Sequence, residues 1–372
     1  PFGQSESVYD FVRPEGLLGR DYRLLRILLT DVCNLACDYC KVMPNFVDVT
    51  KHATSFDHLD QSVRLFFEGS DEGKPKVIHV SGGEPLIAWD HVKFIVKTAE
   101  SYRRPNEKYF VVVGTNAMLL DEEKVRFLAE HNVKAIVSMD GRESVHNTLR
   151  VNHAGEGSFE KVNRGVRLLK QNGIELGLSL VVGKHNVDKL IPEIGWMIEE
   201  YQPVSMGVNY MKPPTRETKD YPFLISPKEY VDALMIKFPN LWRTQKTDQQ
   251  VHDLYHQFIS EDTEYSRYQP PTVTEEVVVY SGSCPFIDKN GVILWNGDIT
   301  VCCYDHDGKF SFGNIHDPGG YEAALESQAR HEAWEHMGDR SLPICQNCDA
   351  TGPRSNVIFF NPKIRQADFE FL

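Results

Sequence analysis

The sequence predicts an α/β fold built on a parallel β-sheet, because short β-rich runs alternate with longer amphipathic runs. The short runs are rich in Val, Ile and Leu, whereas apolar residues in the longer runs recur at helical spacing. Parallel strands joined by helices place an active site at the carboxyl ends of the strands. We therefore expect functional residues in the loops that follow the strands.

Six β/α units account for most of the first 212 residues. Residues such as Asp121 and Ser158, which commonly cap helix N-termini, stand just before two of the predicted helices. The strands are predicted at 25–30, 76–81, 109–115, 134–140, 175–182 and 204–210. The helices are predicted near 57–69, 90–103, 122–131, 159–172 and 187–201.

Composition indicates a cytoplasmic enzyme that acts on neither nucleic acid nor membranes. A chain of 372 residues with 41% hydrophobic residues can form two cores. The net charge of −13 disfavours binding to phosphate backbones. No apolar run approaches the ~18 residues of a membrane span, and no signal-peptide core is evident. In a reducing compartment, the eight cysteines are expected to be metal ligands rather than disulfides.

Three cysteines follow the first predicted strand: Cys33, Cys37 and Cys40 in a C-x3-C-x2-C pattern. Three thiolates so close together can hold three irons of a [4Fe–4S] cluster. Clusters that only transfer electrons usually have four cysteine ligands, and the next cysteine here is Cys284. The fourth iron would therefore be open to an exogenous ligand, unless the thiols bind zinc instead.

A second motif distinguishes these alternatives. The apolar run 77–80 leads into Ser-Gly-Gly-Glu-Pro at 81–85, where glycines allow close approach of a backbone. Together with the cysteine loop and its aromatic Tyr39, this motif resembles the signature of the radical SAM superfamily. The resemblance implies a partial (β/α)6 TIM-like barrel over 22–212. It also implies a [4Fe–4S] cluster whose open iron binds S-adenosylmethionine (SAM).

The resemblance also implies a set of SAM contacts. The Gly-Gly-Glu-Pro segment receives the amino group of SAM, a serine at a strand end contacts the ribose, and an arginine pairs with a carboxylate. If these residues do not contact SAM, Ser138 is a turn residue, Arg150 is a charged surface residue and Val182 belongs to the barrel core. The predicted cofactor-binding residues are Tyr39, Gly82, Gly83, Glu84, Pro85, Asn116, Ser138, Arg150 and Val182.

The remaining cysteines define a second metal site. Cys284, Cys302, Cys345 and Cys348 resemble the ligands of the auxiliary-cluster extension called SPASM, in its shortened twitch form. The resemblance implies one auxiliary [4Fe–4S] cluster; a zinc ribbon is the alternative. Cys303 is left over and is a packing residue, an alternative ligand to Cys302, or a hydrogen-atom donor.

These motifs divide the chain into five segments. Pro-Pro breaks and aromatic residues at helical spacing indicate a helical bridge between the barrel and the cysteine-rich region. The predicted segments are an N-terminal extension 1–21, the barrel 22–212, the bridge 213–280, the auxiliary cluster domain 281–355 and a C-terminal tail 356–372.

The resemblance implies an oxidoreductase that cleaves SAM reductively and abstracts hydrogen from a substrate C–H. It implies an electron donor such as flavodoxin or ferredoxin. Region 134–186 looks like sulfatase-maturase-type and other peptide-modifying enzymes, which favours a peptide or protein side chain. The single auxiliary site instead favours a sugar or aminocyclitol; a third class is a non-catalytic iron–sulfur or zinc module. The catalytic candidates are Glu84, Asp140 and Cys303, with His79 and His185 as further possible bases.

Overall fold

The computed structural model describes most of the predicted barrel and parts of the C-terminal region. The described residues are 24–40, 52–68, 76–211, 221–225, 229, 233, 269–273, 278–281, 290–300, 302, 305–338, 342 and 357–360. Within them, no helix combines the length and the apolar character that a membrane span requires.

Six parallel strands form the centre of the fold, and the first five are each followed by a helix, as the alternating pattern predicts. The strands are β1 Leu24–Thr30, β2 Lys76–Gly82, β3 Tyr109–Thr115, β4 Lys134–Ser138, β5 Leu176–Val182 and β6 Ser205–Tyr210. The helices are α1 Phe56–Glu68, α2 Trp89–Tyr102, α3 Glu122–Glu130, α4 Glu143–His146, α5 Phe159–Gln171 and α6 Leu190–Tyr201.

The C-terminal part of the chain adds strands to both edges of this sheet. The described C-terminal elements are β7 Gln269–Val273, β8 Val278–Ser281, β9 Asn290–Ile293, β10 Asp298–Thr300, β11 Ser311–Asn314, α7 Gly320–Leu325, α8 Gln328–Gly338 and β12 Val357–Phe360. Strand β9 pairs in parallel with β1, and β12 pairs antiparallel with β6. The described strands therefore form one ten-stranded sheet in the order β11-β10-β9-β1-β2-β3-β4-β5-β6-β12, beside the separate β7–β8 pair.

Alternation along β1 separates the two faces of the sheet. Leu25, Ile27 and Leu29 belong to the main core between strands and helices, as expected when successive side chains point to opposite faces. Arg26 lies on the other face, where its Nη1 donates to His79 Nδ1 at 3.1 Å. This second face therefore combines the Arg26–His79 pair with small apolar clusters that contain Leu24 and Leu28.

Several predicted boundaries are wrong. Strand β4 ends at Ser138 rather than residue 140, because the chain turns there at Gly141, which has a φ of 141°. The Pro270-Pro271 pair, predicted as a break, lies inside β7. The segment predicted as a C-terminal tail contains β12. The local sequence could not reveal that this strand pairs with β6. The predicted helical bridge lies mostly outside the described residues.

Both predicted cap residues stand at helix N-termini, but only one of them makes a capping hydrogen bond. The Asp121 carboxylate accepts a hydrogen bond from Lys124 N at 2.9 Å and caps α3. Ser158 makes no capping hydrogen bond to α5. Its hydroxyl instead donates to the carbonyl of Arg150 at 2.8 Å. A tertiary partner outcompetes the local cap because the serine is buried beneath the loop that carries Arg150.

The buried ion pair between Lys76 and Glu107 yields a stability prediction. Both side chains are 1% exposed. Lys76→Met should therefore leave a buried carboxylate without its cation and lower the free energy of unfolding by about 3–5 kcal/mol. Thermal and urea midpoints check this result. Arg64→Met, which breaks the exposed pair with Glu68, is the control and should leave both midpoints unchanged.

Candidate functional site

The predicted cysteine loop begins directly after β1, at the carboxyl end of the sheet. A distant segment holds it in place: Ala36 N donates to Val151 O at 2.8 Å, and Asp38 N donates to Leu149 O at 3.2 Å. Within the loop, Cys40 N donates to Cys37 O at 2.9 Å. The backbone of the three-cysteine loop is therefore fixed by protein contacts.

Burial dominates the acidity of two thiols in this loop. Burial raises the pKa of Cys33 to about 12 and that of Cys37 to about 11, the latter despite the nearby Arg150 guanidinium, which lowers it. A bare thiolate is therefore unfavourable here, and a coordinating cation would stabilise it. Two weak donors, Leu35 N and Asn116 Nδ2, lie 3.4 and 3.8 Å from Cys33 Sγ. The donor set fits three ligands of an iron–sulfur cluster.

The Gly-Gly-Glu turn after β2 clamps the backbone that leads into Cys33. Gly83 N donates to Thr30 O at 2.6 Å, and Glu84 N donates to Val32 O at 2.8 Å. A Cβ on Gly82 would lie 2.4 Å from Thr30 O, and one on Gly83 would lie 2.2 Å from Val32 O. These glycines are thus required by close backbone packing, in addition to any contact with SAM.

Glu84 joins the end of β2 to the end of β3. Its carboxylate is fully buried and accepts hydrogen bonds from Thr115 Oγ1 at 2.6 Å, Asn116 N at 2.7 Å and Leu86 N at 3.1 Å. Burial raises its pKa to about 7, although these hydrogen bonds act in the opposite direction. Pro85, also buried, begins a short 3-10 helix. The contacts identify Glu84 as a residue that positions two strand ends.

The turn after β3 directs Asn116 towards the cysteine loop. Asn116 Nδ2 donates to Asn34 Oδ1 at 2.7 Å, and Asn116 Oδ1 accepts from Met118 N at 3.0 Å. Ala117 has a φ of 61°, which costs energy for a residue with a side chain. Such local strain persists only where surrounding contacts impose it. The turn that follows β3 is therefore held in one conformation by its surroundings.

The other predicted SAM contacts lie at neighbouring strand ends. Ser138 is the last residue of β4 and pairs in register with Ser179 of β5. Val182 ends β5 and is completely buried in the main core. Their contacts with SAM stay predictions.

Asp140, Arg150 and Tyr39 form a buried cluster beneath the cysteine loop. Arg150 Nε and Nη2 donate to the two Asp140 oxygens at 2.8 and 3.0 Å. The Tyr39 hydroxyl donates to Asp140 Oδ2 at 2.6 Å, and the Arg150 guanidinium lies 5.3 Å from the centre of the Tyr39 ring. The carboxylate with which Arg150 pairs here is thus Asp140 of the chain itself.

Further contacts complete the cluster. Asp140 Oδ1 accepts from Val181 N at 2.9 Å, and His146 Nε2 lies 2.9 Å from Ser158 Oγ. The Arg150 guanidinium lowers the pKa of Asp140 against the effect of burial. Asp140 is therefore an ionised residue with four hydrogen bonds, which makes it a poor proton acceptor.

The two other candidate bases lie in different surroundings. His79 accepts from Arg26, and burial beside that cation lowers its pKa to about 3. His185 Nε2 lies 3.9 Å from Asp140 Oδ2, and neither ring nitrogen makes a hydrogen bond within the described residues. Burial lowers the pKa of His185 as well. Both imidazoles are neutral at pH 7.

Two residues that contact the cysteine loop could not be identified from the sequence. His153 Nε2 lies 3.1 Å from Cys33 O, and the Tyr221 hydroxyl donates to Asp38 Oδ2 at 2.8 Å. These partners are 120 and 183 residues apart in the chain. No local spacing could have identified them, because only the folded sheet brings the segments together.

The second cysteine set is described only at Cys302. This residue follows β10 and is half-buried, and its carbonyl accepts from Asp305 N at 3.0 Å. The other predicted ligands, Cys284, Cys345 and Cys348, lie outside the described residues, as does Cys303. The auxiliary ligand set therefore stays a prediction.

Comparison with known families agrees with this geometry. The sequence model of the Radical SAM superfamily matches residues 27–194, and the SPASM model, an iron–sulfur cluster-binding domain, matches residues 284–349. The first match contains the cysteine loop and the Gly-Gly-Glu turn, and the second contains all five remaining cysteines.

Similar proteins extend the match over most of the chain. The serine-type anaerobic sulfatase-maturating enzyme of Bacteroides thetaiotaomicron is 25% identical over 339 residues, covering 86% of this chain and 78% of that protein. The cysteine-type enzyme of Clostridium perfringens is 25% identical over 313 residues, covering 81% and 79%. Native anSMEcpe with bound AdoMet and Cp18Cys peptide shares the fold, with a TM-score of 0.66, 20% identity and coverage of 94% and 91%.

The chain belongs to the radical SAM superfamily and carries a C-terminal SPASM domain. It is a radical SAM enzyme, which excludes a non-catalytic binding module. Its radical SAM domain implies a [4Fe–4S] cluster bound with SAM, and its SPASM domain implies auxiliary iron–sulfur clusters. The assignment of Cys33, Cys37 and Cys40 to the first cluster stays a prediction.

Cluster content follows from the partition of the cysteines. Anaerobically reconstituted protein should hold about eight irons, as two cubanes. Replacing Cys33, Cys37 and Cys40 together with alanine should leave about four and abolish SAM cleavage. Iron analysis and Mössbauer spectroscopy check both numbers. Zinc without iron in the triple variant would show that the C-terminal site is a zinc ribbon.

A second prediction separates a structural from a catalytic role for Asp140. Asp140→Asn should leave Arg150 buried without its counter-ion and lower the free energy of unfolding by about 3–5 kcal/mol. Urea midpoints of the reconstituted protein measure this loss. Asp121→Asn is the matched control, since asparagine also caps a helix. Unchanged stability with lost turnover would instead identify Asp140 as catalytic.

Proposed function

We propose that this enzyme oxidises a side chain of a peptide or protein substrate, with serine and cysteine as the first candidates. The observation that carries the proposal is the extent of the similarity. It covers 86% and 81% of this chain, in proteins whose names specify serine-type and cysteine-type sulfatase maturation. A similarity restricted to the cysteine loop would support SAM cleavage but would give no information about the substrate.

The chemistry proposed for a serine substrate balances as the loss of two hydrogens from the side chain. Together the reduced cluster and SAM supply a 5′-deoxyadenosyl radical, which takes one hydrogen atom from Cβ. The second hydrogen leaves as a proton and an electron, and the hydroxymethyl group becomes an aldehyde. A cysteine substrate loses the same hydrogens and exchanges sulfur for the oxygen of water, releasing hydrogen sulfide. The auxiliary cluster is the proposed electron acceptor.

The described residues support this chemistry because they fix the position of the cysteine loop. The Gly82–Gly83 turn and the Tyr39–Asp140–Arg150 cluster hold the loop from two sides. We assign SAM binding to the nine residues predicted from the sequence. We assign the auxiliary cluster to Cys284, Cys302, Cys345 and Cys348. Glu84, Asp140 and Cys303 stay the candidate catalytic residues, although the hydrogen bonds of both carboxylates to the protein favour a positioning role for them.

A sugar or aminocyclitol dehydrogenase is the second candidate function. The cysteine count favours it, since four ligands suffice for one auxiliary cluster. Oxidation of a ring hydroxyl also removes one hydrogen atom, one proton and one electron. The two candidates therefore share their chemistry and differ in the substrate.

The proposed partners follow from charge and cofactor. The cluster must be reduced by an external protein, and flavodoxin or ferredoxin is the proposed donor. A net charge of −13 disfavours a nucleic-acid substrate. The cytoplasmic location stays a prediction.

The substrate prediction uses synthetic peptides from sulfatase sequences, with serine, cysteine or alanine at the target position. Reduced holoenzyme and SAM should convert the serine or cysteine peptide to the aldehyde, with 5′-deoxyadenosine formed in equal amount. Mass spectrometry measures both products. With deuterium at the substrate Cβ, the label should appear in 5′-deoxyadenosine, because the radical abstracts that hydrogen directly.

The alanine peptide is the matched control and should give only uncoupled deoxyadenosine. If no peptide raises deoxyadenosine formation while an aminocyclitol does, the second candidate is correct. Labelled deoxyadenosine from a peptide without an aldehyde product would retain the peptide substrate but contradict the oxidation.

A further inference from the structure

Strand β9 brings the C-terminal domain beside the strand that leads into the cysteine loop. The two strands run parallel in the register Leu24↔Asn290 to Ile27↔Ile293. Trp295, two residues beyond Ile293, therefore lies at the same level as the last residues of β1. A side chain of the SPASM region thus reaches the edge of the SAM cluster site.

His52 connects Trp295 to the cysteine loop. Its ring stacks on that of Trp295, with 4.6 Å between the ring centres and 21° between the planes. On its other side, His52 Nδ1 lies 3.0 and 3.2 Å from the two oxygens of Asp31. Asp31 is 7% exposed and stands two residues before Cys33. The three side chains form a continuous contact from one domain to the other.

The backbone around His52 is fixed in the same position. Ala53 forms an antiparallel bridge with Thr30, and Thr54 N donates to Leu29 O at 3.3 Å. Thr54 Oγ1 also donates to Trp295 O at 3.3 Å. Residues 52–54 are therefore wedged between the end of β1 and the turn that follows β9.

Asp31 occupies the centre of the segment that the Gly-Gly-Glu turn clamps. Its neighbours Thr30 and Val32 provide the carbonyls that accept from Gly83 and Glu84. Val32 N donates to Thr30 Oγ1 at 3.1 Å and tightens the same turn. A shift of Asp31 would move the backbone that carries Cys33 and disturb the hydrogen bonds at the predicted SAM-binding turn.

We propose that Trp295, acting through His52 and Asp31, is a positioning residue by which the C-terminal domain holds the SAM-cluster loop in its working geometry. The contact involves none of the predicted cluster ligands, so its effect is mechanical. It makes SAM binding in the barrel depend on the docking of the auxiliary domain. The proposal requires only radical SAM activity and is independent of the substrate.

Trp295→Ala in the reconstituted holoenzyme tests the proposal. Loss of the stack should speed hydrogen exchange in residues 29–40 by about three- to tenfold, given the usual strength of an aromatic pair. The KM for SAM in uncoupled deoxyadenosine formation should rise by a similar factor, and iron content should remain unchanged. Trp295→Phe, which retains an aromatic ring, should restore both values.

Phe56→Ala is the matched control. It removes a stack of similar geometry, with His91 at 4.3 Å between ring centres, that does not contact the cysteine loop. It should leave both measurements unchanged.

His52→Ala tests the same chain of contacts from its other side. It should reproduce the effect of Trp295→Ala, and the double variant should be no worse than either single variant, because the residues act through one contact. If Trp295→Ala does not fold, His52→Ala tests the proposal in its place. A folded variant with a lower melting temperature but normal exchange at 29–40 and a normal KM for SAM would overturn the proposal. Additive effects in the double variant would also overturn it.

Discussion

The close packing of the Gly-Gly-Glu turn against the backbone after β1 is the contact on which the rest of the site depends. Two backbone hydrogen bonds, to Thr30 and Val32, leave no room for a Cβ at Gly82 or Gly83. Because this turn ends β2, its position also places Glu84, whose carboxylate fixes the end of β3. Three strand ends are thereby fixed relative to one another.

Buried polar and charged groups fix the cysteine loop together with the backbone packing. Burial raises the pKa values of the Cys33 and Cys37 thiols, and the buried Asp140–Arg150 pair contacts Tyr39 of the same loop. A buried ion pair of this kind is weak evidence for added stability but strongly specifies geometry when every donor is satisfied. The cluster loop therefore depends on polar contacts that fix orientation, while the hydrophobic core behind the sheet provides most of the stability.

The C-terminal domain forms part of the same sheet rather than a separate body attached to the barrel. Strand β9 extends the sheet at β1, and β12 extends it at β6. Edge strands of an open parallel sheet expose unpaired backbone groups, and these additions cover both edges. The same arrangement brings Trp295 of the SPASM region into contact with His52, which lies beside Asp31 at the start of the first cysteine loop.

The sequence alone determined the α/β class, the six strands, the cysteine loop and the superfamily, because hydrophobic periodicity and the spacing of Cys33, Cys37 and Cys40 are local signals. It also placed Asp121 as a cap, since that contact spans three residues. Tertiary structure decided that Ser158 bonds elsewhere, that Arg150 pairs with Asp140, and that Trp295 reaches His52. The first two contacts join residues eight and ten positions apart across irregular loops, where no helical or strand period applies. The third joins two domains through the parallel pairing of β9 with β1.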